Sequence, residues 1–115
     1  MKLGIENKRL LSLIVELKKA DKDIWKRVAY ELSKPTRRRP EVNLSKLEEY
    51  GNEGETLLVP GKVLGSGYLS KKVNVAAFAY SESARALIAK SGGKLMRIED
   101  LVKENPDGKN VRILV

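Results

Sequence analysis

Apolar residues recur every three or four positions over the first third of the chain, which is the spacing of amphipathic helices. Leu10, Ile14 and Leu17 share one face of a predicted helix over residues 8–19, and polar residues occupy its opposite face. A second periodic stretch follows and predicts a second helix that ends near Ser33. The inward-facing residues of that second helix would be Trp25, Val28, Ala29 and Leu32.

Local residues predict where these helices begin and end. Asp23 is expected to cap the second helix, and Pro35 to end it, because the residue before a proline avoids helical geometry. A short third helix is predicted to begin after an Asn43 cap. Gly51 would end that third helix in a left-handed conformation, as glycine often does.

The second half of the chain alternates short apolar runs with helical patterns. The apolar runs predict four strands, at residues 56–59, 73–80, 94–98 and 111–115. Pro60-Gly61 is expected to end the first of these strands. Ser81 would cap a helix that ends at Gly92-Gly93, and a short helix is predicted over residues 99–105. The inner side of the helix after Ser81 would carry Ala84, Leu87 and Ile88.

The alternation predicts an α/β fold built as a single domain over residues 1–115. Residues 1–55 form its mainly helical and basic part, and residues 56–115 form a compact α/β part. The aromatic residues Trp25, Tyr30 and Phe78 lie on apolar faces and are expected in the core.

Charge is distributed unevenly along this layout. The chain has a formal net charge of +8, with 23 Lys and Arg against 15 Asp and Glu. Residues 1–40 contain 12 basic and five acidic residues, whereas residues 41–115 contain 11 and ten. Such a concentration favours a fixed anionic partner over a general effect on solubility.

The absence of cysteine and histidine narrows the chemistry that the chain could perform. The chain has no Cys and no His, which removes disulfides, thiolate nucleophiles, most transition-metal sites and the usual general base at neutral pH. We therefore expect no cofactor and no small-molecule substrate. The first residues lack the apolar core of a secretory signal, and no apolar run could span a bilayer. A cytoplasmic protein without a membrane partner is expected.

Three adjacent arginines, Arg37 to Arg39, lie between Pro35 and Pro40. Their guanidinium groups repel one another, and without a partner they would only raise solubility. Against phosphates they offer planar, bidentate donors, and the flanking prolines limit the backbone freedom that binding would remove. The pattern therefore favours phosphate contact over a merely solvated basic loop.

A glycine-rich loop covers residues 61–67, with Lys62 inside it and Lys71 and Lys72 shortly after. It is not a nucleotide-binding motif: Lys62 is not followed by Ser or Thr, and the next element is a strand rather than a helix. The glycines alone are as compatible with a tight turn or bulge as with RNA contact. The three lysines favour contact with a nucleic-acid backbone.

No arrangement of residues supports catalysis. Glu48 and Glu49 are neighbours and would diverge on a helix, so they cannot act on a substrate as a pair. Glu99 and Asp100 suit the electropositive start of the predicted helix over residues 99–105. The serines near residue 81 lack a histidine partner, so capping explains them.

The segment over residues 62–93 combines the glycine loop with an apolar strand and a capped helix. Its distinctive residues are Lys62 to Gly67, Leu69, Val73, Val75, Ser81, Ala84, Ile88 and Gly92-Gly93. In this combination it resembles the signature of a ribosomal protein family, which joins bacterial large-subunit protein fifteen with archaeal and eukaryotic large-subunit protein eighteen. Three segments outside it favour the archaeal type of protein eighteen, namely residues 24–29, 35–43 and 105–112.

The resemblance implies a structural protein of the large ribosomal subunit that binds large-subunit rRNA beside neighbouring ribosomal proteins. It also implies a fold in which N-terminal helices pack on an irregular β-β-α superhelix. With few aromatics expected at the surface, recognition should follow the shape of the backbone rather than base identity. The expected rRNA-binding residues are Lys8, Arg9, Lys26, Arg27, Lys34, Arg37, Arg38, Arg39, Lys62, Gly65, Ser66, Gly67, Lys71 and Lys72.

Two other functions are compatible with parts of the sequence. An RNA-binding assembly or regulatory factor would visit ribosomes without staying on them. A small phosphate-handling enzyme would use the glycine loop, but it would need a base or a metal site that the sequence does not offer.

Overall fold

Two N-terminal helices open the fold in the computed structural model, which describes residues 5–115 and their side chains from Lys8 onward. Helix α1 spans Ile5–Lys19, starting three residues earlier than predicted, and α2 spans Asp23–Leu32. The predicted end of α2 is confirmed, but Asp23 is its first helical residue, and Lys22 occupies the cap position without a side-chain hydrogen bond. The predicted inward residues of α2 are all buried.

A five-stranded, wholly parallel sheet forms the centre of the molecule. Its strands are β1 (Glu41–Asn43), β2 (Thr56–Leu64), β3 (Asn74–Tyr80), β4 (Lys94–Arg97) and β5 (Val111–Ile113). The order is β1-β2-β3-β4, and β5 also pairs with β2. Strand β3 takes one edge of β2, while β5 and β1 share the other edge, along the first and second halves of β2.

Three short helices connect these strands: α3 (Leu44–Tyr50), α4 (Glu82–Lys90) and α5 (Ile98–Glu104). The Ser81 cap of α4 is confirmed, since its hydroxyl accepts a hydrogen bond from the Ala84 amide at 3.1 Å. Leu87 was expected on the inner side of α4 but is 39% exposed, so only Ala84 and Ile88 anchor that helix.

Two apolar cores cover the two faces of the sheet. Side chains alternate along β2, so that Leu58 lies in one core while Leu57 and Val59 lie in the other. The first core contains residues from α1, α2 and α5, and the second contains residues from α3 and α4. A parallel sheet buried on both faces by helices is an α/β fold, so the expected fold class is confirmed.

Strand β2 does not stop at Pro60-Gly61, as the sequence had suggested, but continues to Leu64. Its pairing with β3 shifts register between Val59 and Lys62, where β2 contributes one more residue than β3. Because Pro60 has no amide hydrogen to donate, the ladder is interrupted there, and a bulge lets the strand resume beyond it.

Gly51 ends α3 in an extended conformation rather than a left-handed one, with φ −68° and ψ 128°. A Cβ atom at Gly51 would lie 2.7 Å from both the Leu47 carbonyl oxygen and Val73 Cγ1. Glycine is therefore needed there for space. No helix within residues 5–115 is long and apolar enough to cross a membrane.

Candidate nucleic-acid interface

A cleft of about 500 Å³ opens beside the carboxyl-terminal halves of the central strands. Arg9 from α1, Arg39 from the segment before β1 and Lys62 from β2 line this first cleft, and Phe78 and Ala79 of β3 belong to its wall. Crevices at the carboxyl ends of parallel strands are the usual ligand sites of open α/β sheets. The fold thus brings basic side chains from three separate segments to one edge of the sheet.

The backbone around the first cleft holds the arginine segment against β2. The Pro40 carbonyl accepts a hydrogen bond from the Lys62 amide at 3.0 Å, and Glu41 pairs with Lys62 in the parallel ladder. Gly61 lies so close to the Pro40 carbonyl that any side chain at position 61 would collide with it. Lys62 and the arginine segment are therefore fixed relative to each other.

The arginine segment contains a turn of 3-10 helix over Thr36–Arg38. Arg37 and Arg38 are exposed, whereas Arg39 is half-buried. Arg39 Nε donates to the Lys34 carbonyl at 3.1 Å, and its guanidinium lies 5.9 Å from the Phe78 ring centroid. The three arginines thus divide into two that face solvent and one that is held in the wall of the cleft.

Arg9 lies where the first cleft meets a second one. It donates from Nε to Glu99 at 2.7 Å and from Nη1 to the Phe78 carbonyl at 2.7 Å. Burial alone would raise the pKa of Glu99, but hydrogen bonds and the positive charge from Arg9 lower it below its usual value. From the sequence, the negative charge of Glu99 was explained only by its place at the start of a helix. The ion pair with Arg9 is a second structural role for this carboxylate.

The second cleft, of about 360 Å³, adds two arginines that the sequence analysis missed. Arg85 comes from α4, and its guanidinium lies 5.7 Å from the Tyr80 ring centroid. Arg97 ends β4, with Nε 3.4 Å from Asp100. Arg97 is the next-to-last residue of the strand predicted over residues 94–98, so the rule for parallel sheets could have identified it once the strands were known to be parallel.

The two clefts together are electropositive. Five basic residues line them, against the two acidic residues Glu41 and Asp100. The basic residues are Arg9, Arg39, Lys62, Arg85 and Arg97. Arg37 and Arg38 extend this positive surface outward from Arg39.

The basic residues of α2 are partly engaged in local ion pairs. Lys26 contacts Asp21 at 3.1 Å, and the hydrogen bond that Lys26 donates to that carboxylate raises the pKa of Lys26. Arg27 and Lys34 both contact Glu31, at 3.7 and 2.9 Å. The Lys26–Asp21 pair is exposed and such pairs are weak, so Lys26 remains available for a stronger anion. Glu31 is buried, so it holds Lys34, and at a longer distance Arg27, against α2. Lys8, on α1, is exposed.

The glycine loop is mainly a packing device. A Cβ atom at Gly65 would lie 2.9 Å from the Ala84 amide nitrogen, and one at Gly67 would lie 2.8 Å from the Ser45 amide nitrogen. Gly67 also has a φ of +99°, which side-chain-bearing residues rarely adopt. Gly65 and Gly67 thus have a packing role in the fold, and Ser66 between them is exposed. Contact of these three residues with RNA stays a prediction.

The structure separates Lys62 from Lys71 and Lys72, which the sequence analysis had grouped in one contact. Lys62 lies opposite Ala79 near the end of β3, whereas Lys71 and Lys72 precede the start of β3. A strand rises about 3.3 Å per residue, so they lie roughly 15–20 Å apart. Lys71 Nζ donates to the Gly51 carbonyl at 3.2 Å, and both lysines line a separate depression there.

Two tyrosine side chains are largely exposed to solvent. Tyr30, which had been assigned to the core, is 64% exposed because it lies on the outer face of α2. Tyr68, which directly follows the glycine loop, is 74% exposed. Within residues 5–115, no group of His, Cys, Asp or Glu is arranged to hold a metal ion.

The chain is similar to known proteins over nearly its whole length. The family model described as ribosomal protein 60S L18 and 50S L18e matches residues 6–115. A protein of Archaeoglobus fulgidus, named large ribosomal subunit protein eL18, is 50% identical over 103 residues, covering 90% of this chain and 88% of its own. Proteins of the same name are 52% identical in Methanosphaerula palustris, covering 94% and 93%, and 48% identical in Halobacterium salinarum, covering 92% and 94%.

Proposed function

We propose, since the chain belongs to the ribosomal protein family 60S L18 and 50S L18e, that it is a structural constituent of the large ribosomal subunit and binds folded rRNA there. The whole chain would act as one domain in the cytoplasm, on the ribosome, beside neighbouring large-subunit proteins. The observation that carries the proposal is the pair of electropositive clefts at the carboxyl ends of the strands.

The mechanism is neutralisation of rRNA phosphates by cations held on a rigid support. Arg37 and Arg38 would contact phosphates at the rim, while Lys62, Arg85 and Arg97 would contact those that enter the clefts. Guanidinium groups bind phosphate oxygens in a bidentate manner, which fixes the orientation of the backbone as well as its position. Lys71 and Lys72 would contact a different stretch of rRNA, since they lie at the opposite end of β3.

No catalytic step belongs to this proposal. The carboxylates that could have acted as acids or bases have structural partners: Glu99 is paired with Arg9, and Glu48 accepts hydrogen bonds from the amides of Ser70 and Lys71. Both have lowered pKa values, Glu48 chiefly through the hydrogen bond from the Ser70 hydroxyl. A general acid at neutral pH would need the opposite shift.

Binding to large-subunit rRNA at several salt concentrations tests the proposal. If about six phosphates are contacted, log affinity should fall with log salt at a slope of roughly −4 to −5. Replacing two cleft residues, as Lys62→Ala with Arg85→Ala, should make the slope shallower by about 1.5 to 2. Lys103→Ala with Lys109→Ala removes the same charge from exposed positions outside both clefts and should leave the slope unchanged.

Equal effects of the two double variants would show that the clefts are not the binding surface. A constituent should also remain with large subunits at moderate salt in a near one-to-one amount during sedimentation. A substoichiometric amount that washes off would instead favour a transient assembly factor.

A further inference from the structure

Tyr68 presents a large aromatic ring to solvent at the tip of the connection between β2 and β3. Its side chain is 74% exposed, more than that of Tyr30. Leaving so much aromatic surface in contact with water does not stabilise the folded chain. Neither core cluster includes it, so its ring is not needed to cover the sheet.

The backbone on both sides of Tyr68 is held in place. Gly67 packs against Ser45 at the start of α3, and Leu69 packs against the core between the sheet and α3–α4. On the far side, the Glu48 carboxylate accepts hydrogen bonds from the Ser70 amide at 3.1 Å, the Ser70 hydroxyl at 2.8 Å and the Lys71 amide at 3.1 Å. Because this backbone is already fixed, a ligand that binds the ring would restrict only the rotation of the Tyr68 side chain, and only that conformational entropy would be lost on binding.

We propose that Tyr68 is a stacking platform for one unpaired base of the rRNA, with Lys71 and Lys72 holding the adjoining phosphates. This inference rests on the proposed function, which it extends from contact with phosphates to contact with a base. Unpaired bases in RNA loops and bulges are characteristically stacked on exposed aromatic side chains. The site would require a tyrosine or phenylalanine ring rather than apolar bulk.

The surroundings of Tyr68 favour a base over an apolar protein side chain. Its neighbours Ser66, Gly67 and Ser70 are exposed and carry no apolar surface, while Leu69 is turned toward the core. An aromatic anchor in a protein interface is normally surrounded by further contacts that exclude water. A single ring followed three and four positions later by two exposed lysines instead matches the plane and the charge of one nucleotide.

Substitutions of Tyr68 in the full chain test this, with binding to large-subunit rRNA as the measurement. Tyr68→Ala should weaken binding about 5- to 150-fold, the range measured for loss of one stacked base. The Tyr68→Leu variant should bind rRNA as weakly as Tyr68→Ala. The Tyr68→Phe variant should have an affinity within about twofold of the wild type. The salt slope should be unchanged in all three variants, since no charge is removed.

Each alternative outcome has a distinct meaning. If wild-type binding is salt-dependent but Tyr68→Ala binds equally well, the stacking inference fails and the proposed function stands. If Tyr68→Leu bound rRNA as tightly as the wild type, apolar contact rather than stacking would account for binding at this position, and the inference would be overturned. Unchanged affinity for bare rRNA, with reduced incorporation into particles that contain other ribosomal proteins, would assign Tyr68 to a protein contact and overturn it too. Absence of wild-type binding to rRNA would defeat both proposals.

Discussion

Arg9 and Glu99, ninety positions apart in the chain, form a two-point ion pair. Arg9 Nε lies 2.7 Å from Glu99 Oε2, and Arg9 Nη2 lies 3.0 Å from Glu99 Oε1. The same guanidinium lies 4.2 Å from the Phe78 ring centroid. One side chain thus joins α1, β3 and α5 at the junction of the two clefts, so Arg9 stabilises the surface that it also lines.

This pair should make stability depend on pH. Burial acts to raise the pKa of Glu99, but the hydrogen bonds that the carboxylate accepts and the charges of Arg9 and Arg97 together lower it below its usual value of 4.5. Its contribution is therefore present above the unfolded-state pKa and is lost as pH falls through the folded-state pKa. We expect Glu99→Gln to lower the free energy of unfolding at about pH 7, and the difference from the wild type to shrink toward about pH 3.

A double-mutant cycle with Arg9→Met and Glu99→Gln isolates the pair from other effects of each substitution. The side chains are 30% and 15% exposed, so we expect a coupling energy of about 1 kcal/mol at neutral pH, as for a partly solvated pair. Urea denaturation at both pH values provides the measurement. A coupling that is the same at low and neutral pH would show that ionisation of Glu99 is not its source.

The three adjacent arginines should differ in their effect on stability. Arg37→Ala with Arg38→Ala removes exposed side chains, so the melting temperature should stay within about a degree of the wild type. Arg39→Ala removes the hydrogen bond to the Lys34 carbonyl and should cost about 1 kcal/mol. Thermal melts of the free protein measure both. A larger loss in the Arg37 and Arg38 variant would give those arginines a structural role instead.

Local patterns predicted what depends on local sequence. The inward face of α2 and the Ser81 cap of α4 were foreseen because helical period and capping involve residues within one or two turns. Strand β1 was missed because it has only three residues, too few to show a period, and is defined by its pairing with residues 62–64 of β2.

The candidate site was predictable only in part, for the same physical reason. The arginine segment and Lys62 were recognised from charge and flanking residues. Parallel pairing over long sequence separations brings the arginine segment and Lys62 to one cleft. The same pairing places Lys71 and Lys72 at the other end of β3. Arg85 carried no local signal, because an exposed arginine on a short helix is ordinary until the fold places it beside Arg97.

Gly61 should be intolerant of substitution because of space rather than backbone conformation. In Gly61→Ala the new methyl group would collide with the Pro40 carbonyl, which is rigid backbone, so we expect a loss of about 1–3 kcal/mol. Gly54→Ala is the matched control, with a φ of +84° and open space around it, and should cost about 1 kcal/mol.

Salt-dependent rRNA binding then separates the two glycine variants. Gly61→Ala shifts the arginine segment relative to Lys62 and should weaken binding, whereas Gly54→Ala should leave it unchanged after correction for the folded fraction. If both variants bound as tightly as the wild type, the fixed spacing between Pro40 and Lys62 would have no part in recognition.

Tyr80 should make the fold sensitive to alkaline pH. Burial raises its pKa to about 12, and its hydroxyl donates to the Met96 carbonyl at 2.7 Å. A group whose folded-state pKa is raised contributes fully below the unfolded-state value of 10.0, and its contribution is lost as pH rises toward the folded-state value. Tyr80→Phe should therefore be about 1 kcal/mol less stable at neutral pH, and the difference should shrink at alkaline pH. Denaturation of both proteins across that range measures the effect, and parallel curves would mean that the Tyr80 hydroxyl is solvated rather than held in the wall of the second cleft.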